Sequence, residues 1–129
     1  MPEQIVSDDD AISFARSAIG SVSALELLIL LRRGRDKPHP FAELVREQRS
    51  SELVVSRALE QLMKFGLVEE RPESGYQYQT RSAQLDLLCE RVESVYAHMP
   101  VTLIRAILEA PDEKLRVFAQ AFLLSGKDK

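Results

Sequence analysis

The side chains able to do acid–base, nucleophilic or metal chemistry are few and scattered. His39 falls in a turn-rich stretch and His98 near a helix end, and neither has a Cys, Asp or Glu at metal-ligand spacing. The single cysteine, Cys89, sits among apolar residues and reads as a small hydrophobe rather than a redox switch. Glu69 and Glu70 are adjacent in a β-capable segment, so they point to opposite faces and cannot share a substrate. No glycine-rich phosphate loop and no serine-centred elbow is present. No catalytic residue, metal or cofactor is therefore expected, and the chain does not read as an enzyme.

Charge is the remaining chemistry. Net charge is −3 over 129 residues, which argues against simple attraction to phosphates, so its distribution matters. Residues 1–31 carry one basic against five acidic side chains, and residues 82–129 carry six against seven. Residues 32–81 carry ten against eight, a small excess and the only positive third. The apolar fraction of 45% and charged fraction of 29% are those of a chain that buries a core. The acidic N-terminal region, with Asp8, Asp9 and Asp10, is opposite in charge to a secretory leader. The densest apolar run, 25–31, is too short for a membrane span. Cytoplasm, no membrane and no disulfide are the expectation.

The elements that must position these residues follow from periodicity. An N-terminal helix over 8–20 starts at three aspartates and stops at Gly20. A second helix, capped by Ser21 or Ser23, is apolar almost all round (Leu25, Leu27, Leu28, Leu30, Leu31) and hence buried. Pro40 suits the first turn of a short helix over 41–47. Ser50 or Ser51 then caps a longer helix over about 51–65, whose apolar Val55, Ala58, Leu59, Leu62 and Phe65 follow a 3–4 spacing, the first four facing inward, with Gly66 as a left-handed stop. Residues 67–71 and 76–80 predict a β-hairpin with Gly75 in its turn. Leu85, Leu88, Val92, Val95 and Met99 form a heptad-like seam broken at Pro100. Further helices are predicted over 101–110 and, capped by Asp112, to about 124.

The segments Phe41-Ala42-Glu43-Leu44-Val45, Val55-Ser56-Arg57-Ala58-Leu59 with Leu62, and Phe65-Gly66-Leu67-Val68 occur in that order. In order and spacing they resemble winged helix-turn-helix regulators, especially MarR-like ones, over about forty residues. The resemblance implies one mainly α domain with a small β-hairpin: a winged helix-turn-helix core over about 23–81 with N-terminal (8–20) and C-terminal (83–124) helical extensions. It also implies a bacterial-type transcriptional regulator binding double-stranded DNA. Its recognition helix (51–65) would enter the major groove and its wing (67–80) would touch backbone or minor groove.

Ser51, Ser56 and Arg57 match the base-reading half of that helix, with Arg57 the leading candidate for a base or phosphate contact. Gln61 and Lys64 lie further along the same helix, and Arg71 and Arg81 flank the hairpin. The hairpin turn itself carries Glu73 and no arginine, a departure that weighs against wing insertion. Palindromic DNA sites favour two-fold dimers, so a homodimer through the terminal helices is expected. The seam has two readings, packing within the chain or pairing with a second copy.

Blander readings stand beside these. Arg57 would then pair with Glu60 or Gln61, and Arg32, Arg33, Arg35 and Lys37 would form a solvated loop rather than touch phosphates. Tyr76 and Tyr78 read as packing residues rather than a stacking platform. With Glu52 and Glu60 on the recognition face, the alternative function is a winged helix that binds protein and not DNA. The sequence marks no effector pocket.

Overall fold

The computed structural model describes residues 6–109 and is mainly helical with one small antiparallel hairpin. The helix expected beyond Asp112 lies outside the described residues.

Helix α1 (Asp8–Phe14) opens with a reciprocal cap: the Ser7 hydroxyl accepts the Asp10 N–H at 3.0 Å, and the Asp10 carboxylate accepts the Ser7 N–H at 3.1 Å. It runs into a π-helical turn, Ala15–Ile19, which Gly20 ends at φ 80°. Helix α2 (Val22–Arg33) is capped by Ser21. Helix α3 (Phe41–Gln48) follows Pro40, which takes the N-cap position, one residue before the first-turn place expected for it. Helix α4 (Glu52–Lys64) is capped by Ser51, whose hydroxyl accepts the Val54 N–H at 3.1 Å.

Strands β1 (Val68–Arg71) and β2 (Gly75–Tyr78) pair antiparallel in the register Val68↔Tyr78 to Arg71↔Gly75. A third strand position adds to them: His39 bridges Tyr76 with N–H···O bonds of 2.8 Å in both directions. Helix α5 (Ala83–His98) starts at Ser82 and ends at Met99, and helix resumes over 100–109, with Pro100 where its missing N–H costs nothing.

The core gathers the buried stripe of every helix. Leu25, Leu27, Leu28 and Leu31 of α2 form its centre, against Leu44 of α3 and Val55, Leu59 and Leu62 of α4. The seam of α5 shifts relative to its heptad reading. Cys89, Val92 and Val95 are the buried residues, whereas Leu85, Leu88 and Met99 are half-buried. These side chains pack within the chain, chiefly against α1 rather than against α2.

Among the described residues no single helix is long and apolar enough to cross a membrane. Helices Asp8–Ile19 and Val22–Arg33 pass by length and composition together, but they meet at 111° and bury their apolar faces in the core.

Candidate nucleic-acid interface

Helix α4 is held on one side and open on the other. Val55, Ala58, Leu59 and Leu62 are buried, in the 3–4 spacing that brings them onto one face. On the opposite face Leu53, Arg57 and Glu60 are exposed; Ser51 and Glu52 are exposed at the helix start, and Ser56 is half-buried. Two bonds fix the angle at which this face is presented. The Gln61 amide donates to the Ala18 carbonyl at 2.6 Å, tying α4 to the π-helical turn, and the Gln48 amide donates to the Ser23 carbonyl at 3.3 Å, tying α3 to the start of α2.

The predicted contact residues divide by position. Ser51, Ser56 and Arg57 share the first half of α4, and Arg57 borders a groove of about 290 Å³ with Val54, Ser21 and Ser23. Gln61 is committed to Ala18 and serves the fold. Lys64 lies in the last turn, its ammonium 5.8 Å from the centre of the Phe65 ring. Arg81 is at the same end, its stem lying over Gly66. A helical rise of about 1.5 Å per residue puts Lys64 about 20 Å along α4 from Ser51. Arg71 is engaged within the hairpin, donating to Gln77 at 3.0 Å and pairing with Glu69. The seven residues are thus not one cluster: Ser51, whose hydroxyl also caps the helix, half-buried Ser56 and exposed Arg57 share the start of α4, and four are elsewhere or spoken for.

Electrostatics at the open end of α4 are mixed. Arg46, Arg49 and Arg57 are exposed there, and so are Glu47, Glu52 and Glu60. Leu53 is 58% exposed and Val54 37%.

Sequence reasoning missed two buried polar residues beneath the hairpin. Arg32 is not part of a solvated loop. It is 6% exposed, and its guanidinium donates to the Tyr78 hydroxyl at 2.9 Å, to Asp86 at 3.2 Å and to Glu93 at 2.9 Å. Tyr78 donates in turn to Asp86 at 2.6 Å, and Arg33 adds a second bond to Glu93 at 3.2 Å. Burial alone would raise the Glu93 carboxyl, but the hydrogen bonds from Arg32 and Arg33 outweigh it and hold it below the usual carboxylate range. Burial pushes the Tyr78 hydroxyl well above its ordinary value and the Cys89 thiol up to about 11.

A signal for Arg32 existed: it continues the Leu25, Leu28 spacing of the buried helix, and Asp86 and Glu93 stand seven residues apart on one face of α5. His39 is the second missed residue, 7% exposed with its ring nitrogens 2.7 Å from the Gly34 carbonyl and 3.2 Å from Glu43. The backbone bridge to Tyr76 holds it beside the hairpin, and no local pattern announces that bridge.

Among the described residues no three of His, Cys, Asp and Glu gather as a metal site. Comparison with protein-family models, with curated proteins and with solved structures returns no match.

Proposed function

We propose that this chain is a winged helix-turn-helix regulator that binds duplex DNA, with α4 as the major-groove helix and β1–β2 as the wing. The observation that carries this reading is the state of α4: its aliphatic face is anchored, and its first half leaves Ser51 and Arg57 exposed and Ser56 half-buried. The order α2, bridge at His39, α3, α4, β1, β2 supports it, because that arrangement props a helix at a fixed angle beside a hairpin. The wing contributes less, since its tip carries Glu73 and its Arg71 is paired internally. No catalytic role or cofactor is assigned, and the place of action is the cytoplasm.

The regulator works as a homodimer. The α5 seam is spent within the chain, so the second copy meets the helix over 100–109, where Val101 and Leu108 are 65% and 59% exposed. They stand seven residues apart with half-buried Ile104 between them, which places all three on one face.

The test is selection of bound duplexes from a random pool, followed by fluorescence anisotropy at about 50 mM salt, where phosphate contacts are strongest. Salt-dependent binding weakened by about 1–3 kcal/mol in Arg57→Ala is expected. Absence of binding at that salt rejects the regulator. A protein-docking winged helix would then stand, a reading favoured by exposed Leu53 and Val54 beside Glu52 and Glu60.

A further inference from the structure

Two non-glycine residues among those described adopt left-handed backbone: Arg49 at φ 52° and Glu73 at φ 70°. One lies in the turn that feeds α4, the other at the hairpin tip. At Arg49 the conformation is imposed by the way α3 ends. Its N–H bonds the Arg46 carbonyl at 3.1 Å, and the Ser50 N–H returns to the Val45 carbonyl at 3.3 Å. That pattern ordinarily places glycine at this position, because a Cβ makes left-handed backbone unfavourable.

An arginine here gives the fold nothing in exchange. Its side chain is exposed, and among the described residues no hydrogen bond or ion pair holds its guanidinium. Glu73 carries the same strain, so left-handed backbone alone does not mark a ligand site; what sets Arg49 apart is an unengaged positive charge at the turn that feeds α4.

From this juxtaposition we infer that Arg49 is a phosphate anchor of the helix-turn-helix turn, gripping the DNA backbone as α4 enters the groove. The inference rests on the DNA-binding reading above. Arg49 stands two residues before Ser51, at the end of α4 that carries Ser56 and Arg57, and Arg46 precedes it by one helical turn. A guanidinium offers paired N–H donors that match two phosphate oxygens. Glu47 and Glu52 lie close in sequence on either side and weaken any diffuse positive field, so what Arg49 contributes is a direct contact.

The inference has a sign that separates it from a structural role. Arg49→Gly relieves the backbone, so its melting temperature rises by roughly 4 °C, while its DNA binding falls. Arg49→Asn, whose side chain tolerates left-handed backbone, gives a second folded variant without the charge. Glu73→Gly is the control, since it relieves the same kind of strain at the hairpin tip and removes a negative charge.

Anisotropy with the selected duplex between about 50 and 200 mM salt should show both Arg49 variants binding roughly five- to twentyfold more weakly. Their slopes of log K against log salt should be shallower by about one, whereas Glu73→Gly binds as tightly as the parent or tighter. The inference is overturned if the parent binds DNA and the Arg49 variants keep its affinity, or lose affinity with the salt slope unchanged. A parent that binds no duplex removes the DNA reading itself and Arg49's role with it.

Discussion

Arg32 holds a full charge where little water reaches it, and three partners from two elements share that charge. Removing a buried ion's partner costs more than the pair contributes, because the remaining groups lose their compensation. Arg32→Met is expected to destabilise the protein by about 2–4 kcal/mol, less than for a fully buried pair, since the Asp86 side chain is half exposed. Urea unfolding measures it.

The network also fixes a pH dependence. The folded-state pKa of Glu93 is lowered from its ordinary 4.5, so its contribution is present above that value and is lost as pH falls through the folded-state pKa. Glu93→Gln should therefore melt below the parent at pH 7, and the gap should close as the pH is brought down through the carboxylate range; a gap that stays constant rejects the linkage. Cys89, buried and with its thiol pushed up, is neutral at pH 7. An aromatic disulfide reagent should label it far more slowly in the folded protein than in urea.

At the scale of elements, two glycines make a contrast that tests how the wing is attached. A Cβ on Gly75 would stand 2.0 Å from the His39 carbonyl oxygen and 2.7 Å from the Pro40 nitrogen, at φ 121°. Both are backbone atoms of the segment that bridges Tyr76, so the clash is relieved only by pulling the hairpin off α3. On Gly66, at φ 75°, the Cβ would meet the Arg81 stem at 2.6 Å, and a flexible side chain swings aside. Gly75→Ala should cost about 3 kcal/mol or more and Gly66→Ala about 1–2 kcal/mol. Chemical denaturation gives both, and equal costs would mean that the His39 bridge does not hold the wing.

Most of these elements were legible in the sequence, because each rests on local signals: serine caps, glycine stops, and periods of 3.6 and 2. The anchored face of α4 was readable in full from Val55, Ala58, Leu59 and Leu62. What was not legible is pairing over distance. The third strand position at His39 is a single bridge with no alternation to reveal it, and the packing of α5 on α1 depends on which apolar stripe finds which. The commitment of Gln61 to Ala18 was hidden for the same reason, since a glutamine on a helix surface looks the same whether its amide meets solvent or a carbonyl. Arg49 was overlooked because its strain is a property of how α3 ends, not of its residue type.

Over the whole molecule, the charge balance sets the condition for DNA binding. One copy offers Arg46, Arg49 and Arg57 at the open end of α4, opposed by three glutamates. Three phosphate contacts give a salt slope of at most about −3, which is the regime of weak, nonspecific association. Two copies acting together neutralise about six phosphates, for a slope near −5, and the second contact is made at the high effective concentration that dimerisation supplies. On the proposed function, useful affinity requires the pair, and the stripe of Val101, Ile104 and Leu108 is the face proposed for it.

Replacing Val101 and Leu108 together with glutamate puts two like charges on that face of each copy. Both sites are exposed in the single chain, so its own fold should tolerate the change. Sedimentation at micromolar concentration should then show a dimer for the parent and a monomer for the double variant. The salt slope should fall by about half, with unchanged circular dichroism. A double variant that still dimerises would place the contact elsewhere, and a parent that sediments as a monomer would reject the dimer and leave the affinity of this weakly charged surface without a source.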